Sequence, residues 1–481
     1  MRDIVQQLAK AMRGRVAGSG DSDYMNCIRI DNGRINRQPA AVALPSDAED
    51  VAAAIRFARD EGLKLTVRSG GHSAAGYSLN DGGIVLDIRG LSGLSLDPNT
   101  NVLTVGMGSI WRDVYNFLRV SRTGLVPIAG GCLGVGAGGF LLGGGYSFVS
   151  RSYGLGIDNI EALTIVLADG SVRRVARAST GQDADLFWAA CGGGGGNFGV
   201  AIDVDIKTHH LAAPTVLAGQ VLFPFYRIDE ILPVYNELAK TCPASLAIYG
   251  FLGYQPDPRN GGAPALFLRF TPIFNGRFDD GMKALEPLFK LGPSNVSLYS
   301  MTLPEFELMA GGSTSVSGRA AYIRSALLPP GGMTQELAKI FKYHMSRMPG
   351  SDSFVVWTHA GGRIAEIAPG ASAYWHRKSL FMPEVKAIWD ANRPQDARQV
   401  IEWAYSFFED VAMHADGAYL NYIDPLQRDW KSKYYGGNLD RLVGVKSRVD
   451  PDDVFSFQQG LTSDFEPDGV RPLNLDPLGV T

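Results

Sequence analysis

The sequence contains few cysteines, little excess charge and no long apolar run. Its four cysteines stand at positions 27, 132, 191 and 242 of 481 residues, and this spacing shows neither the paired thiols of a zinc site nor a dense disulfide framework. The net charge of −4 gives no electrostatic basis for binding nucleic acid. The longest apolar stretches, such as Leu163–Ala168, are as long as a strand and too short for a membrane span. We therefore predict no metal site, no nucleic acid partner and no membrane partner.

The N-terminal segment also lacks the features of a signal peptide. Residues 1–20 contain no continuous apolar core and no small-residue cleavage site, which a secretory signal requires, and their pattern favours an amphipathic helix. We therefore expect a cytoplasmic protein. The length of 481 residues exceeds what one hydrophobic core usually serves, so two or three subdomains are expected. The sequence does not indicate the oligomeric state.

What the sequence has in excess is glycine. Glycine accounts for 58 of the 481 residues, whereas an average protein contains about 7%. The glycines cluster at 70–71, 130–145 and 192–199. Because glycine has no Cβ, such loops let the backbone approach a ligand closely, and their N–H groups suit a pyrophosphate. The clusters therefore predict three ligand-binding loops.

Two local signals fix parts of the secondary structure. Ser46 and Glu49 have the spacing of a capping box, and they precede a helical pattern that ends at Gly62 and leads into a strand. Farther along, the dipeptide Asp169-Gly170 lies between two alternating runs, which is a strong hairpin signal. Both helices and strands are thus expected, and the fold class is α+β.

A change in composition and in the pattern of predicted elements along the chain predicts the domain organisation. From about residue 211 the glycine clusters stop, and strand-like runs alternate with helical patterns up to about residue 414. We interpret 211–414 as a substrate domain, with an antiparallel sheet backed by helices. Residues 1–210 form the first part of a ligand-binding domain, and residues 415–481 return to it.

Two nucleotide-binding motifs are considered and set aside. Gly134-x-Gly136-x-x-Gly139, with Asp158 beyond it, matches the dinucleotide fingerprint. However, the segment before it is not a convincing strand, and a following helix would contain three glycines at 143–145, each costing about 1 kcal/mol. The glycine run at 192–199 lacks the Lys-Ser/Thr of a P-loop. A nicotinamide-dependent dehydrogenase remains as a remote alternative.

Two reactive side chains stand inside the glycine loops. His72 follows the first cluster in "RSGGHS", and Cys132 lies in the second, "GGCLGVGAGG". Taken alone, a histidine is usually just hydrogen-bonded and a cysteine is usually a small buried side chain. The loop context makes a role at a bound ligand the stronger interpretation.

These motifs resemble the berberine bridge enzyme-like branch of the FAD-linked oxidases in the vanillyl-alcohol oxidase/p-cresol methylhydroxylase superfamily. The resemblance extends over nearly the whole chain, through "LPSDAEDVAAAIRFA", "YGLGIDNI", "GGGGGNFGV" and "AYLNYID" to "YYGGNLDRLVGVKSRVDPDDVFSFQQGL". It implies an FAD-binding domain of the p-cresol methylhydroxylase type, built of two subdomains. It also implies that FAD is attached twice, at its 8α-methyl group to His72 and at C6 to Cys132.

The resemblance also implies which residues surround the cofactor and the substrate. Tyr422, in "Tyr419-Leu-Asn-Tyr-Ile-Asp", is the candidate base that takes the substrate's hydroxyl proton, and Tyr146 is a second active-site tyrosine. Apart from the resemblance, a tyrosine with an ordinary pKa near 10 is a poor base at neutral pH and needs a cationic neighbour or a hydrogen-bond acceptor, for which Arg324 and His359 are candidates that the sequence does not place. A small residue at Gly130 leaves the flavin accessible to oxygen. His376 is assigned a supporting structural role. The further residues expected to hold FAD are Arg68, Ser69, Gly70, Gly71, Ser73, Gly131, Gly136, Gly139, Gly199, Val200, Tyr435 and Asn438.

The predicted function is oxidation of an alcohol carbon in a bulky substrate. The substrate is an oligosaccharide or a glycosylated or polycyclic natural product, hydride passes to flavin N5, and O2 is reduced to H2O2. One alternative is an amine or C–C bond-forming oxidase on the same scaffold. A remaining alternative is a protein that binds flavin without catalysis.

Overall fold

The computed structural model describes residues 4–257, 260–310 and 318–467. The helices are α1 (Ile4–Ala11), α2 (Tyr24–Ile28), α3 (Ala48–Asp60), α4 (Trp111–Ser121), α5 (Ala137–Leu142), α6 (Ser150–Tyr153), α7 (Gly181–Ala190), α8 (Ile228–Thr241), α9 (Phe278–Ala284), α10 (Glu286–Phe289), α11 (Leu303–Ala310), α12 (Gln335–Met345), α13 (Arg363–Glu366), α14 (Ala397–Ala412), α15 (Trp430–Tyr435) and α16 (Leu439–Val449). The strands are β1 (Arg15–Ala17), β2 (Ala41–Leu44), β3 (Leu65–Arg68), β4 (Ile84–Asp87), β5 (Leu94–Asp97), β6 (Val102–Gly106), β7 (Leu125–Val126), β8 (Ile160–Val166), β9 (Val172–Ala176), β10 (Val200–Lys207), β11 (His209–His210), β12 (Val216–Pro224), β13 (Leu246–Pro256), β14 (Pro264–Phe274), β15 (Asn295–Met301), β16 (Ala320–Ser325), β17 (Phe354–His359) and β18 (Phe381–Trp389).

The first sheet has four strands in the order β1-β2-β4-β3, with β4 parallel to both β2 and β3. Helix α3 connects β2 to β3, which run in the same direction on either side of β4 and therefore need a crossover connection. Its N-cap is Asp47, which accepts hydrogen bonds from the backbone N–H groups of Glu49 and Asp50. The predicted cap at Ser46 is wrong, because that hydroxyl instead donates to the Asp50 carboxylate. The loop after β3 carries His72.

The second sheet has five antiparallel strands in the order β5-β6-β10-β8-β9. Strands β8 and β9 form the predicted hairpin, with Val166 paired to Val172. Gly170 has a φ of +82°, which glycine adopts without strain. A separate pair, β7 with β11, joins the segment before the Cys132 loop to the end of β10. The hairpin prediction is confirmed.

The third sheet has seven antiparallel strands in the order β15-β12-β14-β13-β17-β18-β16. Helices α8, α12 and α14 pack their apolar side chains against one face of it in a shared hydrophobic cluster. The other face is turned toward the glycine loops. Since the second and third sheets are antiparallel and only the first contains parallel pairs, the predicted α+β class is confirmed.

Two large hydrophobic clusters form the core. One draws mainly on residues before 207 and after 417, and the other mainly on residues 217–411. This distribution supports the proposed division at about 210 and 415. Among the described residues, no helix combines the length and apolarity needed to cross a bilayer.

Candidate active site

A cavity of about 720 Å³ lies between the glycine loops and the open face of the seven-stranded sheet. This volume falls in the range of sites for cofactors and small molecules. One wall consists of backbone from the segments at 69–73, 130–139 and 194–201, and the opposite wall consists of side chains from β12, β13, β14, β15, β17 and β18. The C-terminal segment adds residues 419–423 and 455–457.

The glycines of the first two loops make a backbone wall. A Cβ at Gly70 would stand 2.3 Å from the Gly136 backbone nitrogen, so the two loops pack main chain to main chain. A Cβ at Gly139 would meet no atom within 4 Å, because this residue faces the open cavity. A side chain there would fill space that a ligand needs. The wall has the form and the N–H donors that an extended phosphate group requires.

His72 and Cys132 both line this cavity. His72 Nδ1 lies 3.6 Å from an Asp31 carboxylate oxygen, and burial lowers the pKa of the imidazole. The neutral ring therefore keeps a lone pair for bonding at neutral pH. Cys132 is half-buried and lies near enough to Tyr422 to affect the pKa of that phenol. The structure thus brings the two predicted attachment residues to one ligand-binding space.

Most of the other predicted cofactor residues also line the cavity. These are Ser69, Gly70, Gly71, Ser73, Gly131, Gly136, Gly139, Gly199 and Val200.

Three predicted cofactor residues lie elsewhere. The Arg68 guanidinium donates to the carbonyls of Cys27 and Arg29, so only its backbone is near the loop. Tyr435 is fully buried, with its ring packed against Trp430 and Tyr434.

Asn438 is the third of them. It donates to the carbonyls of Pro369, Ser372 and Ala373. In this structure the side chains of Arg68, Tyr435 and Asn438 support the loops from behind and do not line the cavity.

Tyr422 stands in the cavity next to a carboxyl group that the sequence analysis missed. Glu384 and Lys386 on β18 are both buried, and Lys386 Nζ lies 3.0 Å from a Glu384 carboxylate oxygen. The Tyr422 hydroxyl interacts with Glu384, and Lys386 Nζ lies 5.5 Å from the centre of the Tyr422 ring. Tyr422, Glu384 and Lys386 form one cluster of polar side chains, which we call the Tyr422 triad.

Burial decides the protonation of the triad. It raises the pKa of Tyr422 well above 10, and Glu384 raises it further. Burial also raises the pKa of Glu384, while Lys386 opposes this shift. The phenol is therefore neutral at physiological pH, and the carboxylate next to it is the stronger proton acceptor.

The two helpers proposed for Tyr422 were wrong. Arg324 pairs with Asp424 at 2.7 Å and with Glu409 at 2.8 Å. His359 is buried between the Arg151 guanidinium, at 2.9 Å, and backbone groups. Neither side chain lines the cavity.

Tyr146 lines the cavity in a cluster of tyrosines. Its hydroxyl lies 2.9 Å from the Tyr374 hydroxyl, and burial raises the pKa of Tyr146 to about 12. The Tyr419 hydroxyl accepts a hydrogen bond from the Gly145 backbone N–H at 2.8 Å. This cluster fixes the loop after α5 against the C-terminal segment.

The dinucleotide fingerprint does not lead into the fold that it usually marks. The strand before Gly134, β7, has only two residues and ends at Val126, and the helix that begins after Gly136 has only six residues. Asp158, which would bind a ribose, instead accepts two hydrogen bonds from Arg377 at 2.8 and 2.9 Å. His376 is buried and bonds to the Lys433 carbonyl at 2.7 Å, in agreement with a structural role.

A second buried carboxyl lies behind the Cys132 loop. Glu307 on α11 is fully buried, and a Cβ at Gly131 would stand 3.2 Å from its carboxylate oxygen. Burial raises the pKa of Glu307 to about 8, while the Tyr115 hydroxyl partly opposes the shift. A neutral carboxyl group therefore backs the loop at pH 7.

Replacing Glu307 with glutamine is expected to change how stability depends on pH. The folded protein holds a proton on Glu307 that the unfolded chain releases near pH 4.3, so this residue makes the free energy of unfolding fall between about pH 5 and 8. Glu307→Gln should abolish that slope and stabilise the protein most at pH 8. Urea unfolding at pH 5 and 8 measures this. The exposed Glu305→Gln variant on the same helix is the control, and an equal gain at both pH values would contradict the prediction.

Comparison with known proteins adds the chemical class. A family model described as "FAD binding domain" matches residues 39–176, and one described as "Berberine and berberine like" matches residues 418–462. The chain is 28% identical to xylooligosaccharide oxidase of Thermothelomyces thermophilus, over 96% of this chain and 94% of the relative. It is also 28% identical to glucooligosaccharide oxidase of Sarocladium strictum, over 88% and 87%. FAD-linked oxidoreductase YgaK of Bacillus subtilis is 25% identical, over 94% and 97%.

Solved structures share the fold. BBE-like 1 of Physcomitrella patens superimposes with a TM-score of 0.85, at 24% identity, over 95% of this chain and 98% of that one. Berberine bridge enzyme from Eschscholzia californica gives a TM-score of 0.84 at 23% identity, over 96% and 99%. The predicted arrangement of an FAD-binding domain with an antiparallel substrate sheet is confirmed. The backbone wall, with its open Gly139 and two reactive side chains, fits FAD.

Proposed function

Because this chain is an FAD-linked oxidoreductase of the berberine bridge enzyme-like type, we propose that it oxidises an alcohol carbon of a bulky substrate. Two oligosaccharide oxidases at 28% identity favour a hydroxyl-bearing carbon of an oligosaccharide, and a glycosylated or polycyclic natural product is the second substrate type. O2 is the proposed electron acceptor, which yields H2O2. The observation that carries the proposal is the Tyr422 triad in the same cavity as His72 and Cys132.

His72 and Cys132 are proposed to hold FAD covalently at its 8α-methyl group and at C6, and the backbone loops at 69–71 and 136–139 to hold its pyrophosphate. Bound FAD supplies a hydride acceptor. Because both attachment residues belong to the glycine-loop wall, FAD held by them would leave the opposite wall for the substrate. That wall is the open face of the sheet, with β18 and its carboxylate.

The triad is proposed to remove the proton of the substrate hydroxyl. The Tyr422 hydroxyl accepts this proton while passing its own to the Glu384 carboxylate, so that no phenolate has to exist in the resting protein. Lys386 Nζ, 3.0 Å from the Glu384 carboxylate, stabilises the negative charge that Glu384 carries before the transfer. A positioned acid–base group of this kind contributes about 10²–10⁴-fold to a rate.

The attachment of FAD is tested by precipitating the purified protein in acid and measuring flavin absorbance in the pellet. We expect the pellet to stay yellow in the native protein, in His72→Ala and in Cys132→Ala, and to lose its flavin only in the double variant. Ser73→Ala, in the same loop, is the control that should retain it. Free flavin from the native protein would overturn the covalent assignment.

The reaction is tested by profiling peroxide release with oligosaccharides, aromatic alcohols and amines. Turnover of alcohols with H2O2 formation supports the proposal. Turnover of amines only would favour the amine oxidase alternative, and a flavin that no substrate reduces would favour a binding protein without catalysis. A requirement for added NAD would contradict the flavin route.

A further inference from the structure

Arg269 has no carboxylate partner among the described residues, and it faces the cavity from the middle of the sheet. Arg269 lies on β14 and lines the cavity wall. Three charged side chains line that wall among the described residues, namely Arg269, Glu384 and Lys386. Glu384 and Lys386 are paired with each other. Arg269 therefore leaves this space with one uncompensated positive charge.

The contacts of Arg269 leave part of its hydrogen-bonding capacity unused. Its guanidinium stacks 4.4 Å from the centre of the Phe251 ring, and its Nη1 donates to the Gln255 amide oxygen at 3.4 Å. Its Nε is buried and has no hydrogen-bond partner in the described structure. Burial lowers the pKa of Arg269 to about 10, with no acidic neighbour to oppose it. Arg269 is partly buried, and a guanidinium in that environment is costly unless acceptors complete its hydrogen bonds.

The strand register relates this arginine to the Tyr422 triad. Arg269 pairs with Phe251, Phe251 with Val356, and Val356 with Glu384, so the four residues form one row across β14, β13, β17 and β18. All four line the cavity. Three strand spacings of about 4.8 Å place the two ends of the row roughly 14 Å apart. The row therefore begins at the proton acceptor Glu384, continues through the apolar Val356 and Phe251, and ends at the cation Arg269.

We propose that Arg269 binds a carboxylate on the substrate, remote from the carbon that is oxidised. A planar guanidinium can hold a carboxylate through two parallel hydrogen bonds. The substrate class is then an acidic one that spans the row, either an oligosaccharide containing uronic acid or an extended aromatic carboxylic acid. This proposal deepens the proposed oxidation and rests on it for the position of the reacting carbon.

The test compares matched acids and esters by binding and by turnover. A uronic acid disaccharide and its methyl ester form one pair, and a hydroxymethyl cinnamate and its methyl ester form the other. Isothermal titration calorimetry with the holoenzyme gives the Kd of each, and peroxide release gives kcat/KM. In the native protein we expect the acid of one pair to bind about 10- to 100-fold more tightly than its ester, and the pair that shows this identifies the source of the carboxylate.

Variants separate recognition from folding. Arg269→Met should abolish the preference for the acid while leaving the Kd of the ester within about twofold. Arg269→Lys should keep part of the preference, because lysine retains the positive charge but lacks the paired N–H donors of the guanidinium. Thr271→Val, two residues along the same strand and also lining the cavity, should keep the full preference. The proposal is overturned if neither acid is preferred by the native protein, or if Arg269→Met keeps the preference. An acid that binds through Arg269 but releases no peroxide would leave the subsite standing and overturn the proposed oxidation.

Discussion

The Tyr422→Phe variant is expected to lose about 10²–10⁴-fold in kcat while it remains folded and keeps its flavin. The substitution removes only the hydroxyl that connects the substrate to Glu384, and the ring still packs against Tyr419 at 5.5 Å. Stopped-flow measurement of flavin reduction isolates this step from the reaction with oxygen. Tyr299→Phe is the matched control, because Tyr299 lines the same cavity but is half-exposed on the edge strand β15. Near-native flavin reduction in Tyr422→Phe would remove the triad from the mechanism.

The pH profile distinguishes the carboxylate from the phenol as the final acceptor. Glu384 acts as a base only when it is ionised, so the rate should fall as the pH drops through its pKa, which burial raises above the usual value. Glu384→Gln should be as slow as Tyr422→Phe, and it should lose this acidic limb. A limb that persists unchanged in Glu384→Gln would assign it to another group.

The Asp424→Asn variant is expected to lower the free energy of unfolding by about 3–5 kcal/mol. Asp424 and Arg324 are both almost completely buried, at 3% and 2% side-chain exposure, and lie 2.7 Å apart. Removing the Asp424 charge leaves the buried Arg324 with only Glu409, whose side chain is 51% exposed, as an ionic partner. Because Asp424 stands two residues after Tyr422, the variant should also reduce kcat. Urea unfolding of the protein measures the stability.

Two further variants test the origin of that loss. Asp396→Asn removes an exposed ion pair with Arg393 and should change stability by less than about 1 kcal/mol. The double variant Arg324→Met, Asp424→Leu replaces the buried pair by apolar side chains, and it should recover much of the stability. If Asp424→Asn lowered the free energy of unfolding no more than Asp396→Asn does, the buried Arg324–Asp424 pair would contribute no more to stability than an exposed pair.

The sequence predicted the ligand-binding loops well because their physical requirement is local. Only glycine permits the backbone contact between residues 70 and 136, and such clusters are visible in a sequence without knowledge of the fold. His72 and Cys132 lie inside these clusters, so their shared cavity followed from the loops. The Asp169-Gly170 hairpin was equally local.

The neighbours of the candidate base Tyr422 were harder to predict from the sequence, because strand pairing determines which side chains lie beside it. Glu384 and Lys386 reach Tyr422 through the position of β18 beside β17 in the seven-stranded sheet, and no local pattern gives that order. A signal did exist, since two charges two residues apart interrupt the apolar run "FMPEVKAIW". Arg324 and His359 were equally plausible from their residue types, and only their partners in the fold exclude them.

The origin of the cavity walls has a consequence for how the protein is made. His72 and Cys132 lie in the first third of the chain, whereas Tyr422 and Asp424 lie in its last eighth. During synthesis the glycine loops leave the ribosome long before the segment that completes the cavity and neutralises Arg324. Contacts so distant in sequence form slowly, and the cavity is complete only after residues 419–423 have been made. FAD that enters before that point would meet the glycine-loop wall without the residues at 419–423 that complete the cavity.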